Sequence, residues 1–233
     1  PGPGGSVLRE LRAQHGLAGL VLAHRLDKDA SGVLLLARTK EAARALEREW
    51  HTVEKTYRAL CEGIPPARAG LVDAPILEHQ TGKPERLRNA LRFFTESNPG
   101  VAVPPPPPPK TSAVHPAGRS AQTEYRVIEA FPRAGPQGRS WLELRPRQGR
   151  THQIRVHLAH IGHTIICDPL YQPGYRPLTR SALLGKRSDP GEPCVLDRQA
   201  LHAHRIAFDH PLEAGRVQCE SPLPDDLIRV LEI

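Results

Sequence analysis

Residues 24–36 read HRLDKDASGVLLL, and no other stretch constrains this chain as strongly. An uncharged apolar run, Val33 to Ala37, belongs in an interior. It is entered through Asp27, with His24 and Arg25 just ahead and Ala30, Ser31 and Gly32 forming a small-residue turn. A carboxylate carried to the edge of a core stays ionised most easily with an opposite charge within about 4–6 Å. The stretch therefore reads as a reactive acid beside cations at the mouth of a strand over 33–37, buried on both faces. The same letters also make an ordinary turn, since Asp bonds its own backbone and Gly supplies positive φ.

The rest of the pattern is strand-rich. Thr39 caps a helix that carries Ala43, Leu46 and Trp50 on one face. Residues 56–61 alternate, with Tyr57, Ala59 and Cys61 on one side and Thr56, Arg58 and Leu60 on the other. Further strands are expected at 123–128 and 140–145, and a closing hairpin at 206–208 and 216–219. Thr151 is the expected N-cap of a helix with an Ile154, Leu158, Ile161 face that ends at Gly162, which sets Arg155 on the flank of the buried stripe. Residues 104–109 are six consecutive prolines, which neither donate to a sheet nor continue a helix. The segment 98–120 is read as a Pro-rich surface insertion, and 173–193 as a polar loop. Strands joined by hairpins outnumber helices, so the fold class is α+β with a largely antiparallel sheet.

The chain has 233 residues, with 32 Lys and Arg against 25 Asp and Glu. That surplus favours a polyanionic partner. Four cysteines, Cys61, Cys167, Cys194 and Cys219, show no C-x-x-C spacing, which points to a reducing compartment. No apolar stretch approaches the ~20 residues of a membrane span, and the start PGPGGSVLRE lacks the apolar core of a signal peptide.

His-Arg-Leu-Asp, then Ser-Gly and an apolar run, resembles the catalytic motif of the RluA family of pseudouridine synthases. Four further motifs follow in the same order: Lys55, Tyr57, Ala59 and Gly63 in EKTYRALCEG; AQTEY at 121–125; GRTHQIRVH at 149–157 with Gly162, His163, Ile165, Asp168 and Tyr171; and Leu201, His202 and Ala203. The resemblance covers most of the chain from His24 to Leu227. It implies one catalytic domain over 1–233, with a mixed, mainly antiparallel central sheet, peripheral helices and a cleft across the middle. It also implies that the family's first strand, with its N-K-P-x-G signature, is missing ahead of residue 24.

The implied activity is isomerisation of uridine in RNA, ribosomal or transfer, to pseudouridine. The N1 to C1′ bond breaks, the uracil turns, and C5 joins C1′. Because this is a rearrangement, no cofactor and no metal are expected, nor an obligate protein partner or a membrane, and the expected location is cytoplasmic. The resemblance makes Asp27 the catalytic carboxylate, acting on ribose, on base or as a proton acceptor. It makes Tyr57 the residue that stacks uracil and helps remove the C5 proton, and Arg155 the countercharge of Asp27. His24, Arg25, Arg150, His152 and Gln153 are the expected substrate-binding residues. Ala30, Gln148, Thr164 and Cys167 depart from the family pattern, and Cys167 puts its turn in question because a Gly there could take positive φ. Two rivals stand beside this reading: an inactive RNA-binding module of the same fold, and a metal-dependent hydrolase using His152, His157, His160 and His163, although no Cys or carboxylate at ligand spacing completes that set.

Overall fold

A computed structural model describes residues 7–80 and 82–232; the opening residues 1–6, part of the stretch read above for a signal peptide, lie outside them. The elements run α1 (Val7–His15), β1 (Val21–Leu22), β2 (Ser31–Gly32), β3 (Leu36–Ala37), α2 (Lys40–Arg48), β4 (Glu54–Glu62), β5 (Ala69–Asp73), β6 (Ile76–Glu78), α3 (Pro84–Ser97), β7 (Ser112–Val114), β8 (Gln122–Phe131) and β9 (Arg139–Pro146). They continue with α4 (Gln153–His160), β10 (Leu178–Thr179), α5 (Arg180–Leu183), β11 (Cys194–Leu196), β12 (Leu201–Asp209), β13 (Arg216–Glu220) and α6 (Asp225–Leu231).

The organising sheet has the order β13-β12-β4-β9-β8-β5, with β2 attached beside β12. Every pair is antiparallel except β2 with β12, so the sheet is mixed and mainly antiparallel, and the fold is α+β. Its centre is apolar for a reason visible in the letters: β9 is buried at every position but Arg145, as a strand covered on both faces must be. Leu60, Leu142 and Leu144 from the sheet pack with Ile154 and Leu158 of α4 and with Ile165 and Leu201.

Two motifs that lie about 170 residues apart form one joint. Ser31 and Gly32 pair with His202 and Ala203 in parallel register, and Ser31 Oγ lies 3.0 Å from His202 Nδ1. His202 Nε2 faces the Ser221 carbonyl at 3.1 Å, so Nε2 donates there and Nδ1 accepts from Ser31. A Cβ on Gly32 would lie 2.2 Å from Ala203 O. Only glycine lets the two backbones approach this closely.

Three expectations change. The strand over 33–37 is reduced to Leu36–Ala37, because the chain first follows β12, where the Val33 amide donates to Ala203 O. It then turns to pair with β1, and its residues are mostly half-buried rather than covered on both faces. Thr151 does not cap α4; His152 precedes the helix at φ 57°, and the Thr151 amide donates to Glu78. The α4 helix is buried from Gln153 to Leu158, Arg155 included. The loop 173–193 carries β10 and α5.

The Pro-rich segment is exposed along most of its prolines, but it is fastened. Pro107 is buried, His79 Nδ1 reaches its carbonyl at 2.7 Å, and His115 Nε2 reaches that of Pro104 at 2.9 Å. β7, inside the segment, pairs with β6. The helix after Thr39 forms as expected, with its hydroxyl accepting the Ala42 amide, and the closing hairpin is β12 and β13. Cys167 takes φ 58°, the left-handed conformation in which glycine is unstrained.

Candidate active site

Asp27 lies at the floor of an open cleft of about 470 Å³, lined also by His24, Arg25, Tyr57, Arg150 and His152. The loop that carries it is closed by a bond from the Ala30 amide to the Asp27 carbonyl, and the β2–β12 joint holds the loop's far end. The Asp27 side chain is 22% exposed, enough to meet a ligand, while the Arg155 beneath it is 4% exposed.

Arg155 Nη1 donates to Asp27 Oδ2 at 3.2 Å. Its other contacts are tighter: Nε and Nη2 each donate to a separate oxygen of Asp168 at 2.7 Å. Asp168 is fully buried and also accepts the amides of Leu170 and Tyr171. Burial works against the Arg155 charge, but the bonds to Asp168 and then Asp27 more than offset it and raise its pKa. A bidentate pair of this kind fixes direction as well as charge. Asp168 therefore aims Arg155 at Asp27, and Arg155, not the adjacent His24 or Arg25, is the cation paired with Asp27.

His24 is used elsewhere. Its Nε2 accepts the Leu35 amide at 2.9 Å, its ring stacks on Trp50, and burial lowers its pKa. Arg25 is exposed at the cleft. Tyr57 presents its ring beside Asp27, and burial first, then the Asp27 charge, pushes its hydroxyl up to about 12. At neutral pH Tyr57 is a hydrogen-bond donor.

Tyr171 closes the other side. Its ring covers the Arg155 guanidinium at 5.0 Å, its hydroxyl accepts the Ser112 amide at 2.9 Å, and the same hydroxyl lies 2.8 Å from His152 Nδ1. The hydroxyl thus bridges Ser112 and His152, with the direction of the His152 bond set by that ring's tautomer. Burial lowers the His152 pKa. Gln153 lines the cleft, but both ends of its amide bond the protein: Nε2 donates to Gln122 O, and Oε1 accepts the Arg150 amide. Arg150 spends Nε on Ser120 O and keeps the rest of its guanidinium at the cleft.

The four histidines weighed as a metal set are engaged separately: His157 by Thr123 and the Ala74 carbonyl, His163 by the Glu62 carbonyl, His152 by Tyr171, with His160 exposed. Among the described residues no three His, Cys, Asp or Glu side chains gather as a metal site.

Residues 5–160 match the family model described as RNA pseudouridylate synthase. The chain belongs to that family. It is 34% identical over 239 residues to ribosomal large subunit pseudouridine synthase D of Escherichia coli, covering 99% of this chain and 62% of that protein. It is 33% identical over 243 residues to the protein of the same name from Haemophilus ducreyi, covering 99% and 62%, and 37% identical over 212 residues to an uncharacterized RNA pseudouridine synthase of Chloroflexus aurantiacus, covering 90% and 52%. The chain thus spans about three fifths or less of these relatives' length. In fold it resembles human RNA pseudouridylate synthase domain containing 1, with a TM-score of 0.64 at 22% identity over 97% of this chain and 78% of that one.

Asp168 and Tyr171, quoted from the pseudouridylate synthase pattern but given no role from sequence, prove to orient the site. Trp50, read only as a helix apolar position, lies beside His24 at the cleft edge, with Lys55 Nζ 5.6 Å over its ring. The nearness of Asp168 and Tyr171 to the Arg155 helix in the sequence was the available signal for the first two; nothing local marked Trp50.

Proposed function

We propose that this chain converts uridine to pseudouridine within RNA. The observation that carries the reading is the placement of Asp27, a carboxylate open to a cleft on one side and paired with an aimed guanidinium on the other. Pseudouridine formation needs a carboxylate to act at the ribose or base, a surface to hold the detached uracil, and a countercharge. Asp27, Tyr57 and Arg155 supply these in turn. Asp27 Oδ2 faces Arg155, which leaves Oδ1 for the substrate. Tyr57, protonated at neutral pH, donates to the uracil, while the proton lost from C5 is balanced by the one gained at N1. The exposed Arg25, the free part of Arg150 and the His152 ring are the substrate contacts, and Gln153 shapes the wall. The target base leaves its stack to enter, at a cost of a few kcal/mol that is smaller in loops.

Ribosomal RNA is the substrate class proposed, because the relatives from Escherichia coli and Haemophilus ducreyi are named for the large ribosomal subunit. All four cysteines are unpaired, which supports a reducing compartment such as the cytoplasm, and among the described residues no helix is long and apolar enough to cross a membrane. The test is pseudouridine mapping of RNA incubated with the chain and with Asp27→Asn. Conversion is expected with the first and none with the second, at unchanged folding and RNA affinity. Turnover by Asp27→Asn would overturn the assignment.

A further inference from the structure

We infer that α3 and the turn around Arg119 form an RNA-binding arm that receives the strand flanking the target uridine. The inference rests on the proposed function for its substrate and extends it to a surface outside the catalytic cleft. Residues 79–120 carry six Lys or Arg (Lys83, Arg86, Arg88, Arg92, Lys110, Arg119) against two Glu. That surplus of four is a large share of the chain's +7. Among the described residues, Arg92 pairs with Glu96 and Arg119 with Glu78, whereas Arg86 and Arg88 are exposed and have no carboxylate within ion-pair distance. Unneutralised guanidinium groups on one helix are a phosphate-binding footprint.

The surface is a groove and not merely a charged face. A depression of about 410 Å³ runs between α3 and β6, lined by Arg86, Asn89 and Ala90 on the helix and by Gln80, Glu78 and Arg119 opposite. Its wall is tied to the wall of the catalytic cleft through Glu78. One carboxylate oxygen accepts the amide of Thr151, a residue lining the cleft, at 2.6 Å, and the other accepts from Arg119. Phe93 lies seven residues after Arg86, nearly two turns or about 10 Å along the same side of the helix, and is 71% exposed. An exposed phenyl on the Arg86 side of a basic helix is a stacking platform for an unpaired base. The charge selects RNA as the occupant over an apolar protein segment, and the hydrogen-bonded link between the two walls, which makes groove and cleft neighbours, selects the strand that already holds the target.

The test is binding, read by fluorescence anisotropy with the full chain and labelled single-stranded oligouridylates of about 24 and about six nucleotides. Arg86→Ala with Arg88→Ala should weaken the long oligomer about tenfold and lower its salt slope by about 1.4, with the short one unchanged. Phe93→Ala should also weaken only the long oligomer, by about tenfold. The side chains are exposed, so melting temperatures should hold; if the alanine pair unfolds, Arg86→Gln with Arg88→Gln carries the same test. Unchanged affinity for the long oligomer, or equal losses for both lengths, would overturn the arm. Because binding is read without turnover, a chain that isomerises uridine without using the arm, and one that uses the arm without isomerising, are told apart.

Discussion

Arg155 is forked onto Asp168, with two nitrogens 2.7 Å from two different carboxylate oxygens. The bond from Arg155 to Asp27, at 3.2 Å, is the looser, so a rigid Arg155–Asp168 base carries the more exposed Asp27 carboxylate. Breaking a buried pair by removing one partner typically costs ~3–5 kcal/mol. Asp168→Ala should therefore lower the melting temperature by roughly 6–20 °C, at ~2–4 °C per kcal/mol for a chain of this size. Asp27→Ala, at a partly exposed position, should lower it much less. In double-mutant cycles with Arg155→Ala, the coupling to Asp168 should exceed that to Asp27. Equal couplings would mean that Asp168 does not organise the site.

Tyr171→Phe keeps the ring over Arg155 and removes the hydroxyl shared by Ser112 and His152. The Ser112 amide, in a residue only 3% exposed, then loses its partner, which costs about 1–3 kcal/mol. Chemical denaturation should show that loss, and hydrogen exchange should show faster exchange at Ser112. Unchanged protection there would remove Tyr171 from its place as the pin between the Pro-rich segment and the site.

Much of this was legible because the informative residues are local. The Asp27 loop, the β4 tyrosine and the helix holding Arg155 each carry a family motif within a dozen letters, although the Asp27 and Tyr57 residue types alone read as a turn and as core. The β12 hairpin follows from alternation and a turn. What was not legible depends on distance. That Arg155 belongs first to Asp168 follows from a fold-back of 13 residues, and that Ser31 answers His202 from a contact across 171. The run 33–37 misled because apolar composition reports burial but not the partner. Its residues divide between β12 and β1, and neither is adjacent in sequence to mark the break. The prolines at 104–109 were read as surface for want of a donor, but their carbonyls still accept, and His79 and His115 use them.

Gly32 offers a sharper test of the long joint. At φ +115° and with Ala203 O 2.2 Å from any added Cβ, Gly32→Ala meets both backbone strain and a backbone clash. Gly174 also has positive φ, at +65°, but nothing lies within 4 Å of its Cβ position. Gly174→Ala should thus cost only about 1–2 kcal/mol from the left-handed conformation. Gly32→Ala should cost clearly more and release the Asp27 loop, abolishing the proposed isomerisation. Comparable melting temperatures for the two variants would contradict the close approach of β2 to β12.

The histidines set the behaviour in mild acid. Burial is the largest influence on His24, His152, His157 and His202, and it lowers the pKa of each. His157 is fully buried and bonds Thr123 and the Ala74 carbonyl. Above the unfolded value of about 6.5 both folded and unfolded states hold neutral imidazoles, and the stability is fully present. As pH falls below it, the unfolded chain takes up protons that the folded one refuses, and stability is lost until pH passes the lowered folded values. Glu62, raised by burial, works in the opposite sense, one group against four. Glu78, Glu143 and Asp226, whose folded values are lowered, add their own loss only nearer the carboxylate range, below about 4.5. Melting temperature should hence decline between about pH 6.5 and 5, before those carboxylates contribute. Imidazole NMR should find His157 taking up its proton at lower pH than an exposed histidine does, in the direction that its burial sets. A flat melting profile across that window, with His157 titrating normally, would show that its place in the core is wrong.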